Sequence, residues 1–360
     1  MSKPPNSAVR GRGAVTNASG RYEMMAREAF DDGWGEDEDA PVKLATTLTR
    51  EAARTILSRN DSPDIGFDRS INPYRGCEHG CIYCYARPAH AYMGLSPGLD
   101  FETKLFFKPD AAKLLERELS KKGYKPDRVH IGGNTDPYQP AERKLKITRG
   151  VLEVLERFGH PLSVITKSNL IVRDTDILGQ MAARGLASAA ISVTTLDRSL
   201  ARAMEPRAAT PAKRLEAIAR LSEAGVPVGI MFAPAIPGLN DHEMEAVLEA
   251  GATAGARWAS YVTLRLPLEI KDLFREWLEE ARPDRARRIM SLVRQARGGL
   301  DYDPRWGSRM VGTGPVADLL RARFSVAVKK YGLIRAGGGA ADVSQFRVPA
   351  KTGDQGDLFG

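Results

Sequence analysis

"RGCEHGCIYCYAR", residues 75–87, brings Cys77, Cys81 and Cys84 into eight positions, and the 360-residue chain contains no other cysteine. Three thiols this close cannot all pair as disulfides, and their spacing is that of metal ligands. A zinc site would need a fourth ligand. His79 lies within the same loop and is poorly placed to close the tetrahedron, whereas His90, His130, His160 and His242 are in principle available. An iron–sulfur cube usually takes four thiolates, one per iron, so three would leave one iron open to an outside ligand.

Working outward from this loop, short apolar runs alternate with helical patterns: "KLFFK" (104–108) with "DAAKLLERELSKKG", "RVHIGG" (128–133) with "TRGVLEVLERFG", and "LSVIT" (162–166) with "DTDILGQMAARG". "SAAISVT" (188–194), "VPVGIMFAP" (226–234) and "WASYVTLRL" (258–266) continue the alternation. Repeated strand–helix units predict a parallel sheet of six or seven strands covered by helices, because parallel strands need crossover connections. Thr210–Pro211 reads as a helix start, Asn240 with Glu243 as a capping box, and Gly225 as a helix stop. In such a sheet the strand-to-helix loops gather at the carboxyl edge. The cysteine loop, "GGNTDPYQP", "TKSN", "TTLD" and "APAIPGLND" are therefore expected to face one cavity.

The C-x3-C-x2-C spacing resembles the signature of the radical S-adenosylmethionine (SAM) superfamily. "DSPDIGFDRSINPYRGCEHGCIYCYARPAHAY" (61–92), "GGNTDPYQPAE" (132–142), "ITKSN" (165–169) and "MEPRA" (204–208) are similar to the spore photoproduct lyase-related branch. The likeness spans roughly residues 50 to 335. It implies an α/β fold, a partial (β/α)6-type barrel, with a [4Fe-4S] cluster on Cys77, Cys81 and Cys84. It also implies S-adenosyl-L-methionine on the open iron, and reductive cleavage of that cofactor to a radical that abstracts hydrogen from a macromolecular substrate.

The same resemblance implies cofactor contacts from Tyr83 and Tyr85, from Gly132, Gly133 and Asn134, and from Lys167 and Ser192. Asn134 stands where the family carries Glu, which keeps an acceptor and removes its charge. Spore photoproduct lyase is thought to return hydrogen from a separate cysteine, and this sequence has none to spare. Tyr138 is the candidate donor in its place, with Tyr85 and Tyr92 behind it. Asp136 is a candidate for orienting substrate, and Arg207 for meeting substrate or phosphate.

The expected organisation is a disordered tail over 1–45, a core domain over 60–300, a basic helical C-terminal extension over 301–335 and a flexible tail over 336–360. The composition, 42% hydrophobic and 27% charged with a mean hydropathy of −0.32, is that of a globular domain. No apolar run reaches membrane-span length and no apolar stretch follows the basic N-terminus, so no membrane partner and a cytoplasmic location are expected. The net charge is +8. Residues 281–335 carry thirteen Lys or Arg against four Asp, which suggests a nucleic-acid partner and possible DNA repair. "QGDLF" resembles a sliding-clamp-binding peptide, through Gln355, Asp357, Leu358 and Phe359. A cluster of this kind also implies a reducing partner protein. The alternatives are radical modification of RNA or protein, and a non-catalytic zinc or iron–sulfur nucleic-acid-binding module.

Overall fold

The computed structural model describes residues 11–23, 44–336 and 341–350. Among these, the strands are β1 (Thr47–Arg50), β2 (Leu57–Arg59), β3 (Arg69–Ile71), β4 (Tyr74–Arg75), β5 (Lys104–Phe107) and β6 (Val129–Ile131). They continue with β7 (Leu162–Thr166), β8 (Ala187–Ser192), β9 (Val228–Ala235), β10 (Trp258–Thr263) and β11 (Ile334–Arg335). The helices are α1 (Leu99–Thr103), α2 (Ala111–Leu119), α3 (Glu142–Leu145), α4 (Ile147–Arg157), α5 (Thr175–Ala183) and α6 (Arg198–Met204). After them come α7 (Pro211–Glu223), α8 (Met244–Thr253), α9 (Ile270–Ala281), α10 (Ala286–Gln295) and α11 (Pro315–Lys330).

The main sheet runs β11-β10-β9-β8-β7-β6-β3-β2, parallel throughout except for the β2–β3 pair. Its end strands, β2 and β11, do not pair with each other, so the barrel is open. Parallel strands covered by helices must be apolar on both faces, and Ile71, Val129, Ile131, Ile191, Val228 and Ile230 are indeed fully buried. Helix α4 buries Val151, Leu152 and Leu155 while its charged residues face outward, the pattern of an amphipathic helix on a sheet. Each crossover returns the chain to the start of the next strand, so every strand-end loop from β6 to β10 opens on one edge.

Several expectations need correction. "KLFF" is a strand, but β5 pairs with β1 and β4 in a separate three-stranded sheet. The basic C-terminal extension is helical through α11, yet it does not stand apart, because β11 adds to the main sheet beside β10. Residues 11–23 fall in the expected disordered tail, but Arg12 and Ala14 are buried and Gly13 and Ala14 donate their backbone N–H groups to Glu102 at 2.9 and 2.8 Å. In the expected C-terminal tail, Phe346 packs on Phe158 and Tyr124, and Arg347 N donates to Phe158 O at 3.0 Å. The clamp-like residues 355–359 lie outside the described residues.

Pro211 opens α7 as expected. Asn240 does not form a capping box: its amide donates to Thr194 O and Pro234 O and accepts from Ile236 N, fastening the loop after β9 instead. Among the described residues no helix is long and apolar enough to cross a membrane.

Candidate active site

The cysteine loop leaves β4 and enters a short 3-10 helix, Arg87–Met93. Gly76 and Gly80 have φ of 75° and 66°, and a Cβ on Gly80 would lie 2.6 Å from Glu102 Oε2, so both the turn and the packing require glycine. The loop is tied at both ends, by Cys77 N to Phe101 O at 3.0 Å and Ile82 N to Met204 O at 3.0 Å. Beneath it Arg87 is fully buried and donates to Gly80 O, Cys81 O, Pro97 O and Gly98 O. Its remaining partner is Glu102, at 2.5 Å. Five loop carbonyls or acids thus read one planar guanidinium, which suits its fixed fork of donors.

Cys77 and Cys81 are buried and Cys84 is half-buried. Burial pushes all three thiols up, reinforced at Cys77 by Asp136 and at Cys81 by Glu205, while Lys167 and Arg87 act in the other direction on Cys84. Uncharged thiols are therefore favoured until a cation shares the space. None of the candidate histidines joins them: His79 Nδ1 faces Asp136 at 3.3 Å, His90 Nε2 meets Lys104 O, His130 Nδ1 meets Ser163, and His160 bonds Tyr124 and Pro161 O. His242 is exposed on the loop before α8.

At the end of β7, Lys167 extends its ammonium to Ser192 Oγ at the end of β8, 2.9 Å away, and lies 5.7 Å from the centroid of the Tyr83 ring. Burial lowers the Lys167 ammonium and Arg214 adds to that shift, while Asp136, and Cys81 and Cys84 once ionised, oppose it. Ser192 also donates to Ala233 O at 3.1 Å. Tyr83 gives its hydroxyl to Glu205, which accepts from Thr194 and from the buried Arg214 as well. Arg214 further donates to Ser192 O at 3.0 Å, so one buried ion pair holds both Tyr83 and the β8 terminus.

Tyr85 donates to Gly133 O, joining the cysteine loop to the "GGN" turn. In that turn Asn134 N donates to Asn72 Oδ1 at 2.9 Å, and Asn134 lines a cavity of about 210 Å³ with Asn72, Lys108 and His90. Asp136 accepts from Thr166, Lys167 N and Tyr138 N, and faces His79. Burial alone would raise it, but His79 and these donors hold it at about 2. A carboxylate so fully engaged fastens two strand ends to the cysteine loop and is not free to orient substrate.

Tyr138 is the clearest correction. It is 1% exposed within the main core, beside Arg173, and its hydroxyl is buried without a hydrogen-bond partner. Burial and the charges of Asp174 and Glu142 push its phenol well up, and it packs in the main hydrophobic core. Arg207 pairs with Glu78 at 3.0 Å, an ordinary ion pair against the cysteine loop. Tyr92 is exposed and packs on Tyr22. Sequence reasoning missed Arg87, Glu102, Arg214 and Arg265. A buried arginine shows no local signal, because its partners lie at unrelated positions.

Residues 71–251 match the family model of the Radical SAM superfamily. An uncharacterized protein of Mycobacterium tuberculosis (strain ATCC 25618 / H37Rv) is 36% identical over 269 residues, 74% of this chain and 75% of its own. An uncharacterized protein of Methanocaldococcus jannaschii is 27% identical over 48% of this chain and 62% of its own. Among solved structures, spore photoproduct lyase complexed with dinucleoside spore photoproduct aligns with a TM-score of 0.56 at 16% identity, covering 80% of this chain and 81% of that one.

Proposed function

Because the chain belongs to the radical SAM superfamily, whose cofactors are a [4Fe-4S] cluster and S-adenosylmethionine, we propose that Cys77, Cys81 and Cys84 hold that cluster and that the enzyme abstracts hydrogen from a nucleic-acid substrate. The observation that carries this is the grouping of three thiols on one backbone-tethered loop with the Lys167 ammonium and Ser192 hydroxyl at the adjoining strand ends. The chemistry of the donors suits the two groups, while among the described residues the three thiols are not drawn together at metal-ligand spacing. Three thiols, with none of the candidate histidines joining them among the described residues, would leave a coordination position free, and the nearby Lys167 ammonium matches a carboxylate. When bound, the reduced cluster and its sulfonium cofactor supply one-electron chemistry that ends in hydrogen abstraction.

The chain's own residues bind and orient. Lys167 and Ser192 take the cofactor's carboxylate or ribose, and Tyr83, fixed by Glu205, presents its ring to the adenine. The Gly132–Gly133–Asn134 turn, held by Tyr85 and Asn72, offers backbone and amide acceptors to the ammonium. The nucleic-acid reading draws on the basic balance of residues 281–335 and on the dinucleoside taken by spore photoproduct lyase, which shares the fold. Within that segment Arg294, Arg305, Arg309, Arg321 and Arg323 are paired with acids, while Arg287, Arg288, Lys329 and Lys330 are exposed.

The test is anaerobic reconstitution, reduction and assay for 5′-deoxyadenosine, followed by deuterated duplex DNA, tRNA and peptides as hydrogen sources. Deuterium in 5′-deoxyadenosine from DNA is expected. No product from fully iron-loaded protein would refute the enzyme reading, deuterium from peptide alone would refute the nucleic-acid reading, and one zinc without sulfide would favour a binding module.

A further inference from the structure

Two residues beyond the end of β10, Arg265 enters the same strand-end region as Lys167 and Ser192. Its guanidinium carbon is 5.2 Å from the centroid of the Tyr85 ring, and Tyr85 adjoins Cys84. Nε is buried without a hydrogen-bond partner, and Nη1 reaches the Met310 sulfur at 3.5 Å. Among the described residues no carboxylate pairs with it. Asp64, near enough to feel its charge, is occupied by Arg309 at 2.5 Å and by Gly307 N at 2.6 Å.

The fully buried arginines spend their terminal nitrogens within the chain, although the Nε of Arg297, like that of Arg265, is buried without a partner. Arg87 meets Glu102, Arg214 meets Glu205, and Arg297 is accepted by the carbonyls of Thr263, Leu264, Ser308 and Arg309. A guanidinium drawn partly out of water with its Nε unpartnered, beside the cysteine loop, is prepared for an anion from outside the chain.

We propose that Arg265 is an anion subsite beside the cysteine loop and takes a phosphodiester oxygen of the nucleic-acid substrate. This rests on the nucleic-acid reading above. A nucleic-acid phosphate is favoured over a carboxylate because the loop that grips Asp64, whose carboxylate feels the Arg265 charge, also carries Trp306, 60% exposed. Arg265 would supply a cation for the backbone, and Trp306, next to the Gly307 that binds Asp64, a ring for a base.

The experiment uses the reconstituted full chain under anaerobic conditions and a fluorescein-labelled DNA duplex of about twelve base pairs, with anisotropy titrations between about 50 and 200 mM salt. Arg265→Gln is expected to weaken binding about tenfold and to reduce the slope of log affinity against log salt by about 0.9. Arg265→Lys keeps the charge, so it should keep the slope while losing about threefold in affinity with the planar fork. Lys122→Gln, exposed after α2 and outside the basic segment, is the control for charge alone and should keep wild-type affinity and slope, and iron content and melting temperature check each variant. Wild-type binding with an unchanged affinity and slope in Arg265→Gln overturns the subsite and leaves the nucleic-acid reading standing. Should Arg265→Gln lose its iron, wild-type affinity in Arg265→Lys overturns the subsite instead. A wild-type chain that shows no salt-dependent binding to the duplex removes both.

Discussion

Arg87 and Glu102, both fully buried, form an ion pair at 2.5 Å directly beneath the cysteine loop. The pair does more than neutralise itself. Arg87 holds the carbonyls of Gly80 and Cys81, and Glu102 takes the N–H groups of Gly13 and Ala14, so one contact joins the loop to the N-terminal segment. Breaking it by removing one partner strands a buried charge, at about 3–5 kcal/mol. Arg87→Ala is expected to lower the melting temperature sharply and to reduce iron retained after reconstitution. Calorimetry with iron and sulfide analysis checks this, and a variant with wild-type melting and iron content would contradict the positioning role.

Lys167 predicts a separable defect. Its ammonium bonds Ser192 rather than any cysteine, so Lys167→Ala should leave the cluster's absorption intact. Losing a hydrogen bond to a charged group costs about 1.5–3 kcal/mol, or roughly tenfold to a hundredfold in cofactor affinity. Titration of the reduced protein with S-adenosylmethionine, followed by electron paramagnetic resonance, measures it, and an unaltered titration would exclude Lys167 from the cofactor site.

Gly132 has φ of 96°, and a Cβ there would lie 2.6 Å from Ile165 O and 2.8 Å from Pro137 Cδ. Gly132→Ala meets both a left-handed backbone and a backbone clash, for which a loss of about 2 kcal/mol or more is expected. Denaturant unfolding of the variant beside Gly133→Ala, whose Cβ would make only ordinary contacts at 3.5 Å, isolates the effect.

His130 and His160 give the fold an acid-side limit. Burial holds each at about 4, with His130 stacked on Phe67 and His160 bonded to Tyr124. In the unfolded chain both protonate near the ordinary value of about 6.5. The unfolded state therefore binds more protons between about pH 6.5 and 4, and stability that is fully present above that window is lost as pH falls through it. Each histidine contributes a slope of up to about 1.4 kcal/mol per pH unit. Urea unfolding at pH 7 and pH 5 should show the decline, and His160→Gln should flatten it.

Asp64, before β3, and Arg309, after β10, bridge the two sides of the open barrel, with Gly307 N and Ser62 Oγ joining the clasp. Asp64→Asn should leave global stability almost unchanged while speeding amide exchange in residues 61–67 and 303–313. Exchange confined to other segments would show that the clasp does not hold these loops.

Much of this was legible in residue order. Thiol spacing, strand–helix alternation and the glycines of the cysteine loop are local properties, and a local property survives in a sequence without its partners. The failures were of one kind. "KLFF" has the composition of a strand in either sheet, and only β1 and β4 determine where it pairs. Tyr138 stands in a loop that reaches the strand edge, yet its side chain turns into the core, which no spacing reveals.

By itself, then, the sequence determined the family, the parallel α/β architecture and the confinement of three thiols to one loop, because each follows from periodicity or from neighbours within a few positions. Only the tertiary structure decided which charges are buried and with whom. Arg87 with Glu102, Arg214 with Glu205 and Arg309 with Asp64 are separated by 15, 9 and 245 positions. A charged side chain looks the same in sequence whether it faces water or a partner, and chain folding alone sets the difference in its surroundings.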